Sequence, residues 1–280
     1  MHPSDLSAWL LDPQRPTLVM GVLNVTPDSF SDGGRFAGVD AALAHAQEMV
    51  AQGADWIDVG AESTRPGSQR VDATEQLARL SPVMRELRRR APVVLSIDTT
   101  LSPVAEAALE AGLDVVNDIS AGRDDPAMLP LLARRGAPMI LMHMQGEPAT
   151  MQVAPQYSDV TAEVARFLSE RLAAAELAGI SRENVLLDPG IGFGKTVAHN
   201  LRLLRDLPVL ASMGRPLVVG ASRKGFVGKV TGETPESGRR FGTAAITAWA
   251  AANGAGVVRV HDVEETIRVT RMIRAIRTAL

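Results

Sequence analysis

A single-domain (β/α)₈ barrel is the fold this sequence predicts. Three observations carry that reading. A helical stretch, a Gly and a short apolar strand recur as a unit along the chain. Eight strands of this kind can be placed, each followed by a plausible helix. The chain has 280 residues and no Pro/Gly/Ser-rich linker, which suits a fold that commonly runs to about 250 residues. An open, doubly wound sheet is the alternative arrangement of the same units.

The barrel is expected from about residue 18 to 280, after an N-terminal extension over 1–17. Its first strand is read at 18–25. Ala51-Gln52-Gly53 then leads into Trp56-Ile57-Asp58-Val59-Gly60, giving a second strand at 55–60. The third is placed at 93–98. Glu110-Ala111-Gly112 precedes the fourth at 114–118, and Arg134-Arg135-Gly136 the fifth at 138–143. The sixth and seventh fall at 184–188 and 216–221, and Ala252-Asn253-Gly254 introduces the eighth at 256–261. A Gly just past a helix supplies the left-handed cap that other residues adopt only at a cost. The apolar runs that follow read as strands buried on both faces.

Helix starts are marked as well. Asp72-Ala73-Thr74-Glu75 resembles a capping box, with Asp in the usual Ser or Thr place. Ser102-Pro103 reads as an N-cap followed by Pro at the first helical position. Segments 26–39 and 61–71 exceed most βα loops in length and are rich in Gly, Pro, Ser and Asp, as functional loops are.

Apolar residues make up 46% and charged residues 22%, enough for a sizeable core in an ordinary globular protein. The net charge of −3 provides no global basic field, so a nucleic-acid partner is not expected and any anion must be held by local cations. The chain lacks cysteine, which excludes disulfides and thiolate–metal sites and is compatible with a reducing compartment. No apolar run approaches the ~18 residues of a membrane span, and no basic segment followed by an apolar one opens the chain. A cytoplasmic protein with no membrane partner is the expectation.

Active sites of this fold form at the C-terminal ends of the strands. Every predicted strand delivers polar groups there: Asn24, then Glu62 to Gly67, Asp98, Asn117-Asp118, Met142-His143, Asp188, Ser222-Arg223-Lys224, and Arg259 with His261. Ser96 and Asp98 share a face, as do Arg259 and His261. One polar strand end is explained by solvent; eight around one rim imply a common ligand. A carboxylate accepts two parallel hydrogen bonds from an amino-pyrimidinone edge, which Asp98 or Asp188 can offer beside Asn117 and Lys224. Arg259, His261 and Arg65 supply charge for an anion such as pyrophosphate. The residue chemistry thus reaches a planar heterocycle plus phosphate at a barrel mouth, without naming the heterocycle.

Pro189-Gly190-Ile191-Gly192-Phe193-Gly194-Lys195-Thr196 is not a P-loop, because Pro189 occupies the required first Gly. It is also not a dinucleotide fingerprint, because Lys195 stands at the third Gly position. It reads as a glycine-rich loop at the rim. No histidine pair has zinc-site spacing. His45 and His199 read as surface residues of helices, and Trp249 as helix packing or a subunit interface.

The run Asn24-Val25-Thr26-Pro27-Asp28-Ser29-Phe30-Ser31-Asp32-Gly33-Gly34 resembles the dihydropteroate synthases. So do Glu62 to Gly67, Val116 to Ile119, Leu141 to Gly146, Asp188 to Lys195, Gly220 to Lys224, and Arg259 to Asp262, all in order. The resemblance implies condensation of 6-hydroxymethyl-7,8-dihydropterin pyrophosphate with 4-aminobenzoate, through a dissociative substitution. It implies catalytic roles for Asn24, Asp98, Lys224 and Arg259. The pterin would meet Asp98, Asn117, Met142, Asp188, Phe193, Gly220, Lys224 and Arg259. Pyrophosphate would meet Asn24, Thr64, Arg259 and His261, with Mg²⁺ on Asn24. Phe30, Thr64, Arg65, Pro66, Phe193 and Ser222 would form the aminobenzoate pocket under loops 26–39 and 61–71, open to sulfonamide inhibitors. A homodimer is usual in the family.

Overall fold

Eight parallel strands close on themselves in chain order. The structure is a computed structural model that describes residues 1–25, 34–62, 70–233 and 235–279, the side chains of 34–37, 236 and 237 excepted. Expectations for Phe30, Thr64, Arg65 and Pro66 lie outside the described residues.

The strands are β1 (Leu18–Asn24), β2 (Trp56–Gly60), β3 (Val94–Asp98), β4 (Val115–Asp118), β5 (Met139–Met142), β6 (Val185–Asp188), β7 (Leu217–Val219) and β8 (Ala255–Val260). Each sequence-placed strand is present within a residue or two. β1 pairs with both β2 and β8, which closes the barrel. The helices are α1 (Leu6–Leu11), α2 (Gly34–Ala51), α3 (Ala73–Arg90), α4 (Ser102–Glu110), α5 (Met128–Arg135), α6 (Val160–Leu177), α7 (Val197–Arg205), α8 (Leu207–Ala211), α9 (Gly225–Thr231), α10 (Arg240–Ala252) and α11 (Val263–Thr278).

Strand parity divides the core in two. Val19, Leu23, Ile57, Val59, Leu95, Ile97, Leu141, Leu187 and Val258 face outward and pack with buried residues of the helices. Their alternates Leu18, Met20, Trp56, Val94, Val115, Ile140, Leu186, Val218 and Val257 form a second, interior cluster. Since successive side chains point to opposite faces, the inward column continues upward through Asp58, Ser96, Asn117, Met142, Asp188 and Arg259. The barrel is therefore apolar in its lower half and polar toward its C-terminal mouth.

Helix α1 belongs to that lower half. Leu6, Trp9 and Leu10 are buried within the interior cluster. The Trp9 ring lies so close to Gly256 that a Cβ there would approach it to 3.3 Å. The indole nitrogen is satisfied by the Pro16 carbonyl at 3.0 Å. The N-terminal extension thus plugs the end of the barrel opposite the polar mouth.

The caps follow their predicted chemistry in part. Asp72 accepts from the Glu75 amide at 2.9 Å, but the Glu75 carboxylate turns to Arg79 at 2.7 Å instead of completing the box. Ser102 is the first residue of α4 and not its N-cap. Its amide donates at 2.7 Å to Asp125, a carboxylate from the next βα unit that makes a local cap unnecessary. Gly136 closes α5 in the left-handed conformation, φ +62°, as its position predicts. No helix among the described residues is long and apolar enough to cross a membrane.

Candidate active site

The polar mouth opens into a cavity of about 930 Å³. Among the described residues, its walls include Asn24, Asp98, Asn117, Met142, Asp188, Phe193, Gly220, Ser222, Lys224, Arg259 and His261. These eleven are the sequence-predicted site residues that the structure describes, so residues from seven strands and their loops converge on one space. The β2 column reaches it through Glu62.

Arg259 organises one side. Its Nε donates to Asp58 Oδ2 at 2.6 Å and its Nη2 to Asp98 Oδ2 at 2.9 Å. Asn117 Nδ2 donates to the same Asp58 oxygen at 3.0 Å. Ser96 donates to the other Asp58 oxygen and accepts the Trp56 indole N–H at 2.9 Å. Asp58 is fully buried, and sequence reasoning assigned it no role. Its signal was present: a carboxylate at an inward position of an otherwise apolar strand. Burial pushes Asp98 up to about 7, with Arg259 opposing and Asp58 reinforcing the shift.

Asp188 and Lys224 face each other from the other side. Asp188 is buried at the top of β6, where its Oδ1 accepts from the Gly190 amide at 2.6 Å. Burial raises its pKa, while the Gly190 hydrogen bond and nearby Lys224 oppose the rise. Lys224 lies 4.3 Å above the Phe193 ring and donates to the Ile191 carbonyl. Burial lowers its ammonium to about 7, with Asp188 opposing. Met142 packs with Ile119, Met144, Met151 and Phe193 to give this side an apolar wall.

The glycine-rich loop has the opposite polarity to a phosphate-binding loop. Its carbonyls point at lysine amino groups: Ile191 O receives Lys224, while Gly190 O and Phe193 O each receive Lys195 Nζ at 2.9 Å. Lys195 is only 3% exposed. It also meets His143 Nδ1 at 2.9 Å. Burial, then Lys195, lowers His143 to about 2. His143 is buried and packs edge-on to Phe167, with ring centroids 4.8 Å apart. His199 is not a bare surface residue: it completes the Thr196 capping box of α7. Asp118 faces the outer side of the barrel and accepts from the Ser120 and Gly122 amides at 2.7 Å.

At the rim, Ser222 Oγ lies 3.0 Å from His261 Nδ1. Asn24 is exposed at the end of β1, across from Gly60 in β2. Among the described residues, no three His, Cys, Asp or Glu side chains gather as a metal site.

A barrel whose mouth gathers two carboxyls, an amide, a lysine and an arginine around one cavity is the architecture of a pterin-binding enzyme. The family described as "Pterin binding enzyme" matches residues 20–261. The chain is 44% identical over 274 residues to the dihydropteroate synthase of Synechocystis sp., covering 98% of this chain and 95% of that one. It superposes on the Yersinia pestis dihydropteroate synthase crystallised with a sulfonamide drug with a TM-score of 0.89, at 44% identity, covering 94% of this chain and 95% of that one. The Xanthomonas albilineans dihydropteroate synthase in complex with 7,8-dihydropteroate gives a TM-score of 0.87 at 41% identity, covering 99% of each chain. The chain belongs to the dihydropteroate synthase family.

Proposed function

We infer that this chain joins 4-aminobenzoate to 6-hydroxymethyl-7,8-dihydropterin pyrophosphate, forming 7,8-dihydropteroate and releasing pyrophosphate. It is a transferase. The observation that carries the assignment of roles is that Asp98, Asn117, Asp188, Lys224, Arg259 and His261 all line one cavity, with Arg259 bonded to Asp98 within it.

In this reading the pterin enters the throat of the barrel. Asp188 and Asp98 accept from its amino-pyrimidine N–H groups, Asn117 and Lys224 complete the polar edge, and Met142, Phe193 and Gly220 flank the ring. Arg259 lies against the ring and, with His261 and Asn24, receives the pyrophosphate; Thr64 joins them by resemblance. Departure of pyrophosphate leaves a methylene cation conjugated with the dihydropterin. The buried carboxylates Asp98 and Asp188 stabilise that charge where water cannot screen it. The aminobenzoate nitrogen then attacks and, once the C–N bond has formed, gives up a proton to the released pyrophosphate or to water, so no strong base is required before bond formation. Ser222 and Phe193 border the aminobenzoate position, together with Phe30, Thr64, Arg65 and Pro66 by resemblance. Sulfonamides are proposed to compete there.

Magnesium fits as an ion carried by the pyrophosphate. Asn24 offers one amide oxygen at the mouth, which suits a cation that keeps its other ligands from phosphate and water. When bound, it neutralises charge on the leaving group. The chain is further proposed to act as one cytoplasmic domain and as a homodimer. Phe241 on α10 and Ile276 on α11 are 90% and 64% exposed, apolar side chains that a second copy would cover.

Incubation with the ester, 4-aminobenzoate and Mg²⁺ tests the assignment. Pyrophosphate release that requires both substrates is expected. Binding of pterin without release would place the chain among pterin binders that do not perform this reaction.

A further inference from the structure

We propose that Arg223 and Asp262 form a clamp joining the loops after β7 and β8, and that Arg223 is a positioning residue for Ser222, Lys224 and His261. The proposal rests on the activity inferred above.

Arg223 borders the cavity between two other residues that line it, Ser222 and Lys224. Its φ of +56° places it in the left-handed region, which residues other than Gly, Asn and Asp seldom occupy. Such a conformation persists only when the surroundings over-determine it. Here the surroundings do so at three points. The Arg223 amide donates to Thr243 Oγ1 at 3.1 Å. Its carbonyl accepts from Arg239 Nη1 at 2.8 Å. Its guanidinium grips Asp262 in two places, Nε to Oδ2 at 3.0 Å and Nη2 to Oδ1.

The partner is placed as tellingly as the arginine. Asp262 directly follows His261, so the ion pair links the backbone that carries Lys224 to the backbone that carries His261. The two loops also meet inside the clamp, where Ser222 Oγ accepts from the His261 amide at 3.2 Å and lies 3.0 Å from His261 Nδ1. The Arg223 hydrogen bond holds the Asp262 carboxyl below its usual range, as a pair that stays charged requires. Arg240 is a peripheral third member, its Nε 3.9 Å from Asp262 Oδ1. A glycine would satisfy the backbone at 223 without strain. The bidentate arginine adds a connection across the two loops that a glycine cannot provide.

Steady-state kinetics for both substrates, with thermal unfolding, tests this on Arg223→Gly, Arg223→Lys, Asp262→Asn and the Arg223→Gly/Asp262→Asn double variant. Small misplacements of catalytic groups cost up to about a hundredfold. The expected result is a kcat roughly ten- to a hundredfold lower in Arg223→Gly, with a raised KM for the pterin ester and an unfolding temperature no lower than that of the parent. Arg223→Lys should recover part of the loss, Asp262→Asn should resemble it, and the double variant should be no worse than the worse single one. Parent-like kcat and KM in Arg223→Gly, or additive losses, overturn the clamp. A lowered kcat with unchanged KM and a lowered unfolding temperature also overturns it, since that reports only a smaller folded fraction. If Arg223→Gly does not fold, Asp262→Asn decides by the same KM criterion. Turnover by the parent in the same assay separates failure of the clamp from failure of the assigned activity.

Discussion

Arg259 is shared by two carboxylates, and most of the residue-scale behaviour of the site follows from that. Removing it leaves Asp58 and Asp98 buried without their cation. Arg259→Ala should therefore cost about 3–5 kcal/mol of stability, as breaking a buried ion pair does, as well as turnover. Urea unfolding checks the first effect; a variant as stable as the parent would show that the pair is not maintained in solution. The titrations are equally directional. Asp98 is raised from 3.8 to about 7, so across that interval the folded chain holds a proton that the unfolded chain has lost. Its contribution is full below the unfolded value and disappears as pH rises through about 7. Lys224 is lowered from 10.5 to about 7. Its contribution is present above the unfolded value and is lost as pH falls through about 7. Stability of the ligand-free protein should then have a component that falls from pH 5 to 7, abolished by Asp98→Asn, and one that rises from pH 8 to 10, abolished by Lys224→Met. Slopes unchanged in either variant would assign the titration to other groups. Asp188→Asn replaces an acceptor with a donor facing the ring's own donors, and should weaken pterin binding by about 1.5–3 kcal/mol. Equal affinity by calorimetry in a folded variant would remove Asp188 from the site.

The glycine-rich loop shows at the scale of an element what composition can and cannot say. Its place at the rim and its anchor, Asp188, were readable because an inward strand position ends where the glycines begin. Which backbone groups turn inward was not readable, since glycines permit both N–H and carbonyl cradles. The structure resolves this in favour of carbonyls around Lys195 and Lys224. Two glycines there should respond differently to Ala, although both have positive φ. At Gly190, φ +65°, a Cβ would collide with the backbone carbonyl of His143. At Gly192, φ +85°, it would come within 2.6 Å of Lys224 Cδ, part of a flexible side chain that can shift. Gly190→Ala is expected to lower the unfolding temperature strongly, and Gly192→Ala to spare more stability but impair turnover by displacing Lys224. The reverse order would mean that the loop is held differently. The same division applies to the caps. Asp72 was legible because its partner amide is three residues away. The Asp125 cap of α4 was not, because it arrives from 23 residues further on.

For the molecule as a whole, the period of two along each strand explains how much of the barrel was legible. The helix–Gly–strand unit marks β2, β4, β5 and β8, short apolar runs predict the other four strands, and the inward parity places Asp98, Asn117, Asp188 and Arg259 at one mouth. Asp58 escaped notice because it lies one inward step below the strand end, where only barrel closure brings it to Arg259 across 201 residues of sequence. The role of α1 was hidden for a similar reason: an extension before the first strand carries no periodicity that says which end of a barrel it fills. Trp9 is 6% exposed within that plug, so Trp9→Ala should cost about 3–5 kcal/mol while leaving both KM values unchanged. A shift in KM would show that the plug and the mouth are coupled. On the function inferred above, this one cavity exchanges pyrophosphate for an arylamine on a pterin methylene. A single-turnover experiment tests it most directly, with protein in excess over the pterin ester and 4-aminobenzoate labelled at its amine with ¹⁵N. Formation of ¹⁵N-labelled 7,8-dihydropteroate with one pyrophosphate for each ester consumed is expected; recovery of the intact ester from the protein would overturn the assignment.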